Sequence, residues 1–133
     1  CVEDVLSGRG LERVLAFVTA EAGAEEHRTA ADIMAAIAQG SDRRADEAGQ
    51  IFVRMLGNVA GNLSLIHLPF GGVYLIGGVA RAFAPYLARF GFAAAFRDKG
   101  RFAEFMANFA VHLLVDDYAA LTGCTAYLDG LAD

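Results

Sequence analysis

Apolar and polar positions along the chain alternate in blocks that change period, and the changes mark the elements. Residues 1–6 alternate weakly, which predicts a short strand. Ser7-Gly8-Arg9-Gly10 reads as a turn, with Ser7 placed to cap a following helix. Leu11, Val14, Leu15 and Val18 then recur at helical spacing and predict a helix to about Gly23. Thr29-Ala30-Ala31-Asp32 has the form of a capping box with Asp in place of Glu. It opens a helix over 30–39 with Ile33, Ala36 and Ile37 on one face and Gly40 as the stop.

Ser41 or Asp42 caps the next helix, which runs to about His67. Its first two turns are polar and the rest is apolar nearly all round, so it enters the core at an angle. Gly49, Gly57 and Gly61 each cost it about 1 kcal/mol relative to Ala. Such glycines suit a site where another backbone or a ligand comes close. Pro69 ends the helix. Residues 71–78 read as a buried strand with glycines at both ends, and 79–89 as a helix with Phe83, Tyr86 and Leu87 inward. Gly91 and Gly100 bound a short helix over 92–97, and 102–106 make one or two turns. An apolar run over 111–115 predicts another strand, and 119–132 a final helix. Strands separated by helices imply a helix-rich α/β fold with a small, mostly three-stranded sheet and parallel pairing.

Composition narrows the function classes. The chain has 133 residues, 56% of them hydrophobic, which is enough for one domain with a core and unlike a disordered chain. It begins with Cys1 and not Met, as a piece of a longer protein would. The net charge is −5 and the cations are scattered, which argues against a nucleic-acid partner. The apolar stretch 51–80 is interrupted by Arg54, Asn58, Asn62, His67 and Pro69, so it does not offer the run of about 20 apolar residues that a membrane span needs. Cys1 and Cys124 stand far apart and outside any CxxC pair. With no signal peptide visible, they fit a reduced, cytoplasmic protein without a zinc or redox motif.

Four motifs in order carry a resemblance. They are Glu3-Asp4-Val5-Leu6-Ser7-Gly8-Arg9-Gly10-Leu11; Asn62-Leu63-Ser64-Leu65 with Phe70-Gly71-Gly72-Val73-Tyr74-Leu75-Ile76-Gly77-Gly78; Gly91-Phe92-Ala93-Ala94-Ala95-Phe96-Arg97-Asp98-Lys99-Gly100-Arg101-Phe102; and Val111-His112-Leu113-Leu114-Val115-Asp116-Asp117 with Gly123 beyond. Together they resemble the C-terminal half of the proteobacterial glucokinase family, over nearly the whole chain. The resemblance implies the actin/hexokinase-like ATPase fold, in which two lobes clamp ATP, Mg²⁺ and glucose. It implies that Glu3 hydrogen-bonds the sugar, a task suited to a carboxylate that accepts from two hydroxyls. It also implies that Gly77 and Gly78 lie against the adenosine of ATP, where a backbone without Cβ atoms approaches closely. The helix carrying Gly57 and Gly61 matches the family's interlobe helix, and close packing on a neighbouring helix explains the same glycines equally well.

On that resemblance, residues 1–118 belong to the larger C-terminal lobe. Residues 119–133 form a helix that packs on an absent N-terminal lobe, or here on a second copy as a homodimer, or back on the chain. The family's Asp-x-Gly-Gly-Thr-x-x-Arg phosphate loop and its Asn-Asp catalytic base are absent from these residues, so no catalytic residue is assigned and the chain alone is expected to be inactive. No metal ligand is assigned either. His27, His67 and His112 read as ordinary surface or core residues, Asp116-Asp117 as a solvated loop, and Arg97, Lys99 and Arg101 as a wet surface cluster. Leu68-Pro69 and Tyr118-Ala119-Ala120 depart from the family pattern. Two alternatives stay open: a sugar kinase of the repressor-linked group, which usually carries a Cys and His zinc cluster, and a non-catalytic regulatory or dimerisation module.

Overall fold

A computed structural model describes residues 1–24, 26–116 and 118–131. Helix α1 spans Gly8–Glu21, α2 Ala30–Gln39, α3 Arg43–His67, α4 Gly78–Phe83, α5 Phe92–Arg97 and α6 Ala119–Asp129, with strands β1 at Val73–Leu75 and β2 at Val111–Leu113. The strands pair in parallel, Val73 opposite Val111 and Leu75 opposite Leu113. Parallel neighbours need a crossover, and α4, α5 and the 3-10 turns between them supply it. The helix-rich α/β expectation holds.

The caps explain where the first three helices begin. The Ser7 hydroxyl accepts from the Gly10 amide at 3.0 Å, and Thr29 Oγ1 accepts from the Asp32 amide at 3.2 Å. Asp42, not Ser41, caps α3: its Oδ1 accepts from the amides of Arg44 and Ala45 at 2.8 and 3.3 Å. Its Oδ2 accepts from Arg28 Nη1 at 2.6 Å, and Arg28 also binds Glu26. Burial pushes the Asp42 carboxyl up, but Arg28 and the two amides outweigh it and hold the group below the usual carboxylate range. A depressed folded pKa means stability that is complete above the unfolded value near 3.9 and lost as pH falls through the folded value. Asp42→Ala is expected to cost about 2 kcal/mol at pH 7. The gap to wild type should narrow as pH falls through the depressed folded value in urea titrations run across pH. A gap independent of pH would count against this account.

The core forms where α1, α2 and α3 meet the crossover. Leu11, Leu15, Ile33, Ile37, Phe52, Val53, Phe83 and Met106 are at most 1% exposed, and the Phe52 and Phe83 rings stack at 4.9 Å. The buried stripe of α3 runs from Ala45 to Ser64. Its last turns do not end dry, because Leu63 and Ile66 remain exposed. Gly57 and Gly61 lie against α5. A Cβ on Gly57 would sit 2.7 Å from the Phe92 carbonyl oxygen, and one on Gly61 would overlap the Phe96 carbonyl oxygen. Close approach of a neighbouring helix therefore accounts for both.

Three expectations change. Residues 1–6 do not form a strand, so among the described residues the sheet has two strands and not three. Val2–Asp4 is a 3-10 turn closed by local bonds, Asp4 donating to the Cys1 carbonyl and Val5 and Leu6 both donating to the Val2 carbonyl. Weak alternation over six residues does not supply a neighbouring strand to pair with. The helix predicted over 79–89 stops at Phe83, because Pro85 has no amide to continue it, and tightens into a 3-10 turn at Ala84–Tyr86. Finally, of the three placements expected for α6, packing back on the chain is not seen among the described residues: none of its residues is buried, and Leu121, Tyr127 and Leu128, with Leu131 just beyond, are 64–68% exposed.

Candidate functional site

The end of β1 is where the glycine pair singled out in the sequence falls. After Leu75 the backbone turns through Ile76 and Gly77 and enters α4 at Gly78. Gly77 has φ +107° and ψ 169°, a region essentially closed to residues with a Cβ. Gly78 has no such constraint. A Cβ on it would meet only Arg81 Nη2, at 4.0 Å, so nothing in the fold fills the space beside it. Gly77 thus makes the bend and Gly78 leaves its outer side open.

Gly78 also lines an apolar groove of about 230 Å³ between α1, α2 and α4, together with Gly8, Leu11, Ala30, Met34 and Val79 among others. The helix ends that frame it are fixed by polar contacts behind the lining. Glu12 Oε1 on α1 accepts from the Ala30 amide at 2.9 Å, which ties α1 to the first turn of α2. Gly8 and Ala30 come close enough that a Cβ on Gly8 would lie 3.7 Å from that of Ala30.

Glu3 sits in the 3-10 turn before α1, exposed to solvent. Arg13 of α1 pins that turn by donating to the Asp4 carboxylate at 3.0 Å and to the Asp4 carbonyl at 3.2 Å. Among the described residues the Glu3 side chain has no hydrogen-bond partner. Glu3 does not line the groove; it and the groove flank the same end of α1.

The remaining candidates go elsewhere. Lys99 donates to Asn58 Oδ1 at 3.3 Å and the Ala95 carbonyl at 3.4 Å, and Arg101 lies over the Phe102 ring at 4.9 Å. Arg97 borders a separate groove with Phe96, Phe109 and His112. His112 stacks on Tyr74 at 5.0 Å across the outer face of the sheet. Asp116 accepts from the Tyr118 amide at 2.9 Å, and Asp117 lies outside the described residues. Among the described residues no group of three or more His, Cys, Asp or Glu is placed to hold a metal ion, and no helix is long and apolar enough to cross a membrane.

Sequence reasoning identified the glycine pair and missed the rest of the groove. Leu11 is a core residue by its periodicity, and Ala31, Met34 and Ala82 carry no local signal at all, because the groove exists only where three helices converge.

A family profile described as Glucokinase matches residues 1–131. The chain is 39% identical over 127 residues to the glucokinase of Chromobacterium violaceum, covering 95% of this chain and 36% of that protein. It is 38% identical to that of Mesorhizobium japonicum, covering 94% and 37%. Against that of Shigella flexneri it is also 38% identical, covering 95% and 40%. The fold superposes on a crystal structure of glucokinase from an Antarctic psychrotroph with a TM-score of 0.87 at 28% identity, over 96% of this chain and 40% of that one. The chain therefore spans about two fifths of the length of the relatives it matches, in their C-terminal portion.

Proposed function

The chain belongs to the glucokinase family, and from that membership we propose that the intact protein is a cytoplasmic kinase that moves the γ-phosphoryl group of ATP to the 6-hydroxyl of glucose. The sugar oxygen attacks the γ-phosphorus, the bond to the β,γ-bridging oxygen breaks, and ADP leaves. The hydroxyl proton goes to a base outside these residues. Mg²⁺ bound to the phosphates would supply charge neutralisation.

The chain's own part is binding and orientation. Glu3, exposed and without a competing partner among the described residues, is free to accept hydrogen bonds from two sugar hydroxyls. Gly77 turns the chain so that Gly78 presents bare backbone to the adenosine, with the apolar groove taking the ring. At about 230 Å³ the groove is smaller than the roughly 300–1,000 Å³ of a whole-ligand site, a size for one ring system of the nucleotide. The observation that carries the reading is the strand–Gly77–Gly78–helix bend opening on that groove in a chain of this family.

The test is a coupled assay of glucose phosphorylation by the intact protein and two kinds of variant. Loss of a charged hydrogen-bond acceptor costs about 1.5–3 kcal/mol, so Glu3→Ala should lower kcat/KM for glucose roughly 10- to 100-fold and leave the KM for ATP unchanged. The glycines should separate. Gly77→Ala loses about 1–3 kcal/mol of stability through its backbone conformation. Gly78→Ala unfolds normally in urea but raises the KM for ATP about tenfold, because the new methyl occupies the ligand's space. An ATP KM untouched by Gly78→Ala would remove the nucleotide from this bend.

A further inference from the structure

The groove beside Gly78 also bears on which nucleotides the site accepts, an inference that rests on the function proposed above. Leu11, Ala31, Met34, Val79 and Ala82 face it, and none brings a hydrogen-bonding side chain beyond the weakly accepting thioether of Met34. Two amides in the first turn of α2 are already committed, Ala30 to Glu12 and Asp32 to Thr29. Ala31 and Ala82 stand exposed at the rim, so the groove opens to water and a ring seated in it keeps its polar edge solvated.

From this we infer that the site reads the shape of the base and not its hydrogen-bonding edge, and so takes purine nucleoside triphosphates with little regard to the substituents at ring positions 2 and 6. A site built to hydrogen-bond its ligand rejects an analogue lacking the group by about 10⁴- to 10⁵-fold, whereas an apolar slot discriminates by only about 10- to 200-fold. The groove is of the second kind. Adenine, hypoxanthine and guanine present the same bicyclic faces to Leu11, Met34 and Val79. A pyrimidine buries less surface and binds more weakly.

The experiment measures glucose 6-phosphate formed by the intact protein with ATP, ITP, GTP and UTP, a readout independent of the base. The expected result is kcat/KM for ITP and GTP within about tenfold of that for ATP, with UTP lower than all three. Ala82→Leu and Ala31→Leu place a larger side chain at exposed helical positions and narrow the groove without touching the core. Each should lower kcat/KM for the three purines in parallel, about tenfold or more, with the KM for glucose unchanged. Rejection of GTP and ITP by more than about 1,000-fold beside normal turnover of ATP overturns the inference and leaves the kinase reading standing. Variants that leave all purines unaffected also overturn it, because the ring then lies elsewhere. Failure of every nucleotide, ATP included, overturns the kinase reading itself.

Discussion

The chain alone, given saturating glucose, ATP and Mg²⁺, should form no glucose 6-phosphate above background. Phosphoryl transfer offers a protein little covalent chemistry to perform. Its rate comes from holding the attacking and leaving oxygens in line and from stabilising charge on the transferring group. Well-oriented reactants gain effective molarities of about 10⁵–10⁸ M, and that gain requires both substrates to be held at once. On the function proposed above, Glu3 on its exposed turn would offer one sugar contact and the groove one ring site. No glycine-rich phosphate loop and no Asn-Asp base stand among these 133 residues. A loss of about 10⁵-fold or more relative to the intact protein follows. The measurement is a coupled assay with circular dichroism on the same sample, so that a folded but inactive chain is told from an unfolded one. Turnover approaching that of the intact protein would sink this expectation and the division of labour behind it.

Gly61→Ala should be among the most damaging single methyls added to this fold, and the worst between α3 and α5. In an exposed helix the change stabilises by about 1 kcal/mol. Here the methyl overlaps the Phe96 carbonyl oxygen and lies 2.6 Å from Cε of Lys99. The lysine end can swing away; the carbonyl belongs to the backbone of α5 and cannot move without shifting that helix. Phe92 and Phe96 on α5 are themselves buried in the core, so the shift propagates into it. Overpacking of this kind costs about 1–3 kcal/mol, occasionally more, and we expect about 3 kcal/mol for Gly61 and less for Gly57, whose Cβ would clash less severely, at 2.7 Å from the Phe92 carbonyl oxygen. The two changes push on one helix and should combine non-additively, since the first displacement makes room for the second. Urea denaturation of the intact protein and its variants checks this. A Gly61→Ala protein as stable as wild type would show that α3 and α5 lie farther apart than described here.

The parts of the fold that rest on local chemistry were legible in the sequence. Ser7, Thr29 and Gly40 delimit helices because a cap is decided within four residues, and each holds the position assigned to it. The strand ending at Gly77 was legible because an apolar run bounded by glycines leaves few alternatives, although only Val73–Leu75 pairs. Residues 1–6 misled because alternation is necessary for a strand and not sufficient; pairing needs a neighbour, and the turn's own carbonyls satisfied the amides first. Pro85 was a local signal that helical periodicity outweighed in the reading and sterics outweighed in the fold. At the site, Gly77 and Gly78 stood out through the resemblance to a family motif, and the backbone conformation accounts for a glycine at Gly77. The walls of the groove did not, since an alanine on α2 and another on α4 become neighbours of one ligand only after the core has formed.

The bare side of α6 has a consequence for the order of events in folding. Among the described residues nothing buries Leu121, Leu128 or Leu131. Contacts within α1, α2 and α3 join segments close in sequence and form early at small entropic cost; whatever shelters these leucines must come from a distant stretch or another molecule. This helix is then the last of these elements to find its seat, and until it does the newly made polypeptide presents a greasy flank to chaperones and to its own copies.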